Sequence, residues 1–213
     1  MTSIRQRLMA VVAGQLGRPH GPLGWLVARA LNRGNERAIA AVVDATEAAP
    51  GAVVADVGFG GGIGLRMLLD RGEGAGTVHG VEIADGMLRR ARLGFARDVR
   101  SGRLRLHRGS LTDLPLDDAT CDAVITVNTV YFVADLPAAC AELARVVRPG
   151  GRVVVGVGDP DVMAQAPFTR HGFTLRPVGE IASALSEAGL EVDHRSMPDK
   201  PIPRHLLVGK RPH

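Results

Sequence analysis

The chain has 213 residues, 46% hydrophobic and 23% charged, which suits one globular domain and excludes disordered, collagen-like and coiled-coil classes. Its 26 basic residues slightly exceed its 22 acidic ones, and only Lys200 and Lys210 are lysines. With 1 Trp, 1 Tyr and 5 Phe, the chain lacks the aromatic-studded basic stripe of a nucleic-acid reader, so a formal charge of +4 points to no polyanion. Cys121 and Cys140 lie too far apart for a zinc site or redox pair, and no metal site is expected.

In chain order, residues 2–48 read as helices. Ile4, Leu8, Val11 and Val12 recur at helical spacing until Gly14 and Gly17 interrupt them. Pro19, Gly21 and Pro22 force a loop, a short helix follows through Trp25 and Leu31, and Asn35 is placed to cap the next. The apolar run after Arg7 ends within about six residues, shorter than a signal-peptide core. No stretch approaches the ~20 apolar residues that span a bilayer, so a soluble, cytoplasmic protein is expected.

From Ala52 the chain alternates between strands and helices. Strands are expected at Ala52–Val57, Thr77–Glu82, Arg103–His107, Asp122–Val127 and Arg152–Val157, with two more near Leu190–His194 and His205–Gly209. Between them lie helices over Gly64–Asp70, 85–100, Leu136–Val147 and Gly179–Ala188. In the second of these, Met87, Ala91, Phe95 and Val99 mark the buried face, and the surrounding arginines form a solvated one. Such alternation predicts a mainly parallel sheet covered on both faces, with ligands outside the carboxyl ends of its strands. Chemistry is therefore expected after Val57, at Glu82, near Ser110 and around Asn128.

The densest signal is Asp56-Val57-Gly58-Phe59-Gly60-Gly61-Gly62-Ile63-Gly64, a glycine turn between a strand and a helix. No register of it satisfies the dinucleotide fingerprint, and a P-loop needs a lysine that the segment lacks. Glu82 follows Gly62 by 20 residues at the next strand end, where a carboxylate can accept charge-assisted hydrogen bonds.

Asp56, Gly58, Gly60 and Gly62 match D-x-G-x-G-x-G, and the chain thereby resembles the class I S-adenosylmethionine-dependent methyltransferases. The likeness continues in order through His79-Gly80-Val81-Glu82, Leu114-Pro115-Leu116, Cys121-Asp122-Ala123-Val124 and Arg148-Pro149-Gly150-Gly151. It implies an α/β, Rossmann-like, seven-stranded and mostly parallel sheet over 49–213, with an N-terminal helical lid over 1–48. It also implies S-adenosyl-L-methionine as cofactor, with S-adenosyl-L-homocysteine as product.

The cofactor residues implied are Asp56, Gly58, Phe59, Gly60 and Gly62 at the turn, and Glu82, Ile83 and Met87 after the second strand. Ser110, Leu111 and Asn128 complete the set. Asp56 is assigned either to the methionine end or to orienting the turn; Met87 either flanks the adenine or packs in the core. Ser110 departs from the acidic residue of many relatives. Val127-Asn128-Thr129-Val130-Tyr131-Phe132 resembles the Asn-Pro-Pro-Tyr signature of amino-group methyltransferases but lacks both prolines.

Methyl transfer by in-line displacement to a small-molecule acceptor is the expected function. A non-catalytic cofactor-binding module and an RNA methyltransferase are the alternatives. His20, Tyr131 and His171 are the candidate bases. Nucleic acid is not an expected partner.

Overall fold

Valine-rich runs become seven strands, because β-branched side chains pack well on a pleated surface buried from both sides. The computed structural model describes residues 35–71, 76–170 and 172–213. The strands are β1 (Val53–Val57), β2 (Thr77–Glu82), β3 (Leu104–Arg108), β4 (Cys121–Val127), β5 (Val147–Gly158), β6 (Glu191–Met197) and β7 (Arg204–Lys210). They form one sheet in the order β3-β2-β1-β4-β5-β7-β6. β1 to β5 pair in parallel, and β7 lies antiparallel to both β5 and β6. The register sets Val57 beside Val81, Val127 beside Gly156 and Gly158 beside Arg204, which aligns one functional edge across the sheet.

Among the described residues, helices cover both faces. On one face lie α1 (35–45), α2 (Ile63–Arg71) and α3 (Asp85–Gly94), which bury Val42, Leu65 and Leu88 with Val54, Ile125 and Val154 of the strands. α4 (Ala96–Arg100) follows α3 directly. On the other face, α5 (Leu136–Val146) and α7 (Val178–Glu187) bury Leu143 and Leu185 with Val124, Val153 and Val155. α6 (Pro160–Ala164) starts just after β5, capped by Asp159, whose side chain accepts from the Val162 amide. Cys121 and Cys140 are buried and unbridged, and burial pushes their thiols up to about 12 and about 11.

The helix expected over 85–100 is two helices. Phe95, after the poor helix former Gly94, leaves helical geometry with φ −114° and ψ 29°. Its ring is buried against the glycine turn, where a Cβ on Gly62 would stand 3.1 Å from Phe95 Cε2. The arginines expected on the outer face, Arg89, Arg90, Arg92, Arg97 and Arg100, are exposed.

The helix in the later part of the expected lid is part of the sheet packing. Val42 and Val43 of α1 are fully buried, and a Cβ on Gly156 of β5 would meet Val42 Cγ2 at 2.8 Å. The rest of that lid, residues 1–34 with His20, lies outside the described residues, as does His171. No helix among the described residues is long and apolar enough to cross a membrane.

Candidate functional site

The turn after β1 is held by backbone bonds. The Gly58 amide donates to Val81 O at 2.8 Å, and the Gly62 amide to Phe59 O at 2.8 Å. Gly58, Gly60 and Gly62 all have positive φ, at 73°, 48° and 81°. At Gly58 the requirement is also steric, because a Cβ would lie 2.4 Å from Thr129 Oγ1.

Glu82 ends β2 and turns inward. Its Oε2 accepts from the Gly60 amide at 3.0 Å, and its Oε1 accepts from the Ile83 and Ala84 amides at 2.9 and 3.0 Å. One buried carboxylate thus shapes the glycine turn and the entry to α3 together. These three bonds leave about one of its four lone-pair positions open.

Asp56 lies beneath the turn, 4% exposed. Burial raises its carboxyl to about 7, the neighbouring Glu82 charge adds to this, and a hydrogen bond from the Leu65 amide opposes it. A Cβ on Gly64 would lie 2.2 Å from Asp56 Oδ2, so glycine at that position makes room for the carboxylate. These contacts tie Asp56 to the start of α2 just after the turn.

Beside the turn, Asn128 follows β4 with φ 58°, a left-handed conformation that asparagine tolerates, and its amide donates to Gly156 O at 2.8 Å. Tyr131 sits in the 3-10 turn Val130–Phe132. Its hydroxyl oxygen accepts from the Gly158 amide at 2.6 Å and, as donor, lies 3.4 Å from both Asn128 Oδ1 and Gly158 O. Burial pushes the phenol up to about 12. Ser110 is bonded locally: its amide donates to Asp113 O at 3.3 Å, its carbonyl accepts from the Asp113 amide, and its hydroxyl lies 3.1 Å from Thr112 Oγ1.

These residues border one cavity of about 340 Å³, within the range of small-molecule sites. It brings together Asp56, Gly58, Phe59 and Gly60 of the turn with Glu82 and Ile83. Ser110 and Leu111, after β3, line it beside Glu82, and Asn128 and Tyr131 line it after β4. Two expected cofactor residues stand outside this lining. Met87 is 5% exposed within the core cluster of α1 to α3, so its packing alternative is the one observed. Gly62 faces the Phe95 ring instead of the cavity.

Sequence reasoning missed the far end. Phe132, Met163, Phe168, Phe173 and Ile202 make an apolar wall, and Arg204 and Asn35 form a polar corner beside it. The aromatic rings interlock, with Phe173 at 4.7 Å and 60° from Phe132 and at 5.8 Å and 66° from Phe168. The cluster of three phenylalanines between 132 and 173 was the available signal.

The strand order and the turn geometry define a Rossmann-like methyltransferase fold. A methyltransferase-domain model matches residues 55–155. YdaC of Bacillus subtilis (strain 168), named an uncharacterized methyltransferase, is 30% identical over 159 residues, 75% of this chain and 83% of that protein. The chain belongs to the class I S-adenosylmethionine-dependent methyltransferases.

It is also 35% identical over 123 residues to the demethylmenaquinone methyltransferase of Symbiobacterium thermophilum (strain DSM 24528 / JCM 14929 / IAM 14863 / T), covering 57% of this chain and 46% of that protein. The malonyl-[acyl-carrier protein] O-methyltransferase of Serratia marcescens is 33% identical over 147 residues, 64% of this chain and 53% of the relative. The chain thus spans about half the length of these two curated relatives. Among solved structures, a chain from the complex of the Haloferax volcanii Trm112 methyltransferase activator with a methyltransferase aligns with TM-score 0.75 and 24% identity, over 87% of this chain and 94% of that one.

Proposed function

We propose that this protein transfers a methyl group from S-adenosylmethionine to a small-molecule acceptor held in the same cavity. The observation that carries the reading is the continuity of that cavity, from the Glu82-braced glycine turn to the aromatic wall of Phe132, Phe168 and Phe173.

The residues present fit the cofactor. The cavity end with Asp56 and Glu82 is acidic, which suits a ligand carrying sulfonium and ammonium charges. Above the turn there is space, since a Cβ on Gly60 would meet nothing nearer than Gly58 O at 3.9 Å. The open lone pair of Glu82 is placed for a ribose hydroxyl, and Ile83 and Leu111 offer apolar flanks for the adenine. When bound, S-adenosylmethionine supplies an already activated methyl group, so the protein's tasks are alignment and exclusion of water.

Asn128 and Tyr131 hold the rim between the two halves. With its proton tightly held and its oxygen already accepting from Gly158, Tyr131 serves as a brace and not as a base. The base assignments to His20 and His171 concern positions outside the described residues.

Calorimetry with S-adenosylmethionine and S-adenosylhomocysteine, with NAD as control, tests the reading. Micromolar binding, about −8 kcal/mol, is expected for both sulfur ligands and none for NAD. Glu82→Gln, which removes the charge but retains one acceptor oxygen, should weaken both ligands at least tenfold while circular dichroism shows a folded protein. Failure of either sulfur ligand to bind the folded wild type would refute the reading.

A further inference from the structure

Among the described residues, partly buried arginines hold a carboxylate or several backbone carbonyls, and Arg204 on the cavity wall holds neither. Arg145 binds Glu142 and Asp118, Arg152 binds Glu47, and Arg176 binds Glu180 and three backbone carbonyls. Arg211 donates to the carbonyls of Ala144, Arg145 and Val147. Arg204 instead donates to the neutral Oδ1 of Asn35 at 2.6 Å and forms no ion pair among the described residues. A guanidinium has five N–H donors in a planar fork, so most of its hydrogen-bonding capacity is unused among the described residues. Burial lowers its pKa, with Tyr131 and Asp199 acting in the opposite direction. A partly buried guanidinium held by a single neutral side chain is costly unless a ligand supplies further acceptors.

Its place in the sheet says which ligand. Arg204 opens β7 opposite Gly158, three strand spacings from β1 in the order β1-β4-β5-β7. At about 4.8 Å per strand, that is roughly 14 Å of backbone from the glycine turn. Among the described lining residues only Asp56, Glu82 and Arg204 belong to charged types, two acids at one end and one cation at the other. Phe132, Phe168, Phe173, Met163 and Ile202 stand on the cation's side.

We propose that Arg204, oriented by Asn35, binds a carboxylate on the methyl acceptor, so that the acceptor is an apolar monoacid whose body lies against the Phe132–Phe168–Phe173 wall. A single guanidinium balances one negative charge, which favours a monoanion over a phosphate. The Glu82 carboxylate at the opposite end, joined by Asp56 as that group ionises near pH 7, repels an anion from the turn and so fixes the acceptor's direction. This inference rests on the methyltransferase reading, and its test separates the two.

The test measures binding of matched acid and amide probes to the S-adenosylhomocysteine complex by calorimetry: 4-hydroxybenzoate against 4-hydroxybenzamide, phenylacetate against phenylacetamide, and octanoate against octanamide. At least one acid is expected to bind tenfold or more tightly than its amide. Arg204→Gln should erase that preference, Arg204→Lys should restore part of it, and both should bind S-adenosylhomocysteine within threefold of wild type. Asn35→Asp keeps the arginine but supplies an internal carboxylate, and it should erase the preference as well.

Equal affinity within every pair, or no binding by any probe, overturns the inference. So does a tenfold loss of S-adenosylhomocysteine affinity in Arg204→Gln, which would assign the guanidinium to the cofactor's own carboxylate. Failure of the wild type to bind S-adenosylhomocysteine overturns the methyltransferase reading itself.

Discussion

Asp56→Asn isolates the electrostatics beneath the glycine turn. The carboxyl is raised from 3.8 to about 7, first by burial and then by Glu82, against the opposing bond from Leu65. Because the folded value exceeds the unfolded one, the native state holds a proton that the unfolded chain has released. The associated stability is complete below about pH 4 and is lost as pH rises through 7.

At 1.36 kcal/mol per pH unit, the whole loss is about 4 kcal/mol. Asn keeps an acceptor for the Leu65 amide and cannot ionise. Urea unfolding of both proteins at pH 5, 6, 7 and 8 compares them, with other titrating groups largely shared. Between pH 5 and 8 the wild type should lose about 2.7 kcal/mol more than the variant, because roughly two units of the window fall in that range. The variant should be the more stable protein at pH 8. Parallel curves, agreeing within about 0.5 kcal/mol, would mean that Asp56 ionises normally and that the burial argument is wrong.

Tyr131→Phe leaves the buried Gly158 amide without its 2.6 Å acceptor and should cost about 1–3 kcal/mol in urea unfolding. Its methyl-transfer rate should keep the wild-type pH profile; a hundredfold fall in rate with unchanged stability would make the phenol catalytic. Gly58→Ala places a methyl 2.4 Å from Thr129 Oγ1 at a φ of 73°, and should destabilise the protein by about 1–3 kcal/mol. S-adenosylhomocysteine affinity, measured by calorimetry on the folded fraction, should fall at least tenfold in the same variant.

The strands and the turn were readable because their signals are local. Valine runs such as Val153-Val154-Val155 bury both faces, and glycines at Gly58 and Gly60 mark left-handed backbone that other residues resist. The break at Phe95 was hidden because helical spacing continues through Val99, and only tertiary packing on Gly62 selects the kinked form. Met87 fits the apolar stripe of α3 and the adenine flank equally well by position alone; its burial with Leu88 and Ala91 distinguishes them. The acidic end of the cavity was legible since Asp56 and Glu82 are close to the motif. Arg204 was not, because its significance depends on β7 entering the sheet beside β5, a pairing between segments about 50 residues apart.

The position of β7 also bears on how the molecule is built during synthesis. β7 separates β5 from β6 and is the strand through which β6 joins the sheet. An emerging chain can pair β1 with β2 and β4 before β7 has been made, but the outer edge of β5 stays open until then. Because Arg204 lies on β7, the Glu82-braced turn can form first and the cationic corner last. A nascent or truncated chain ending before residue 204 would therefore expose an unpaired, valine-rich edge, a template for aggregation, and would lack its anion-binding corner.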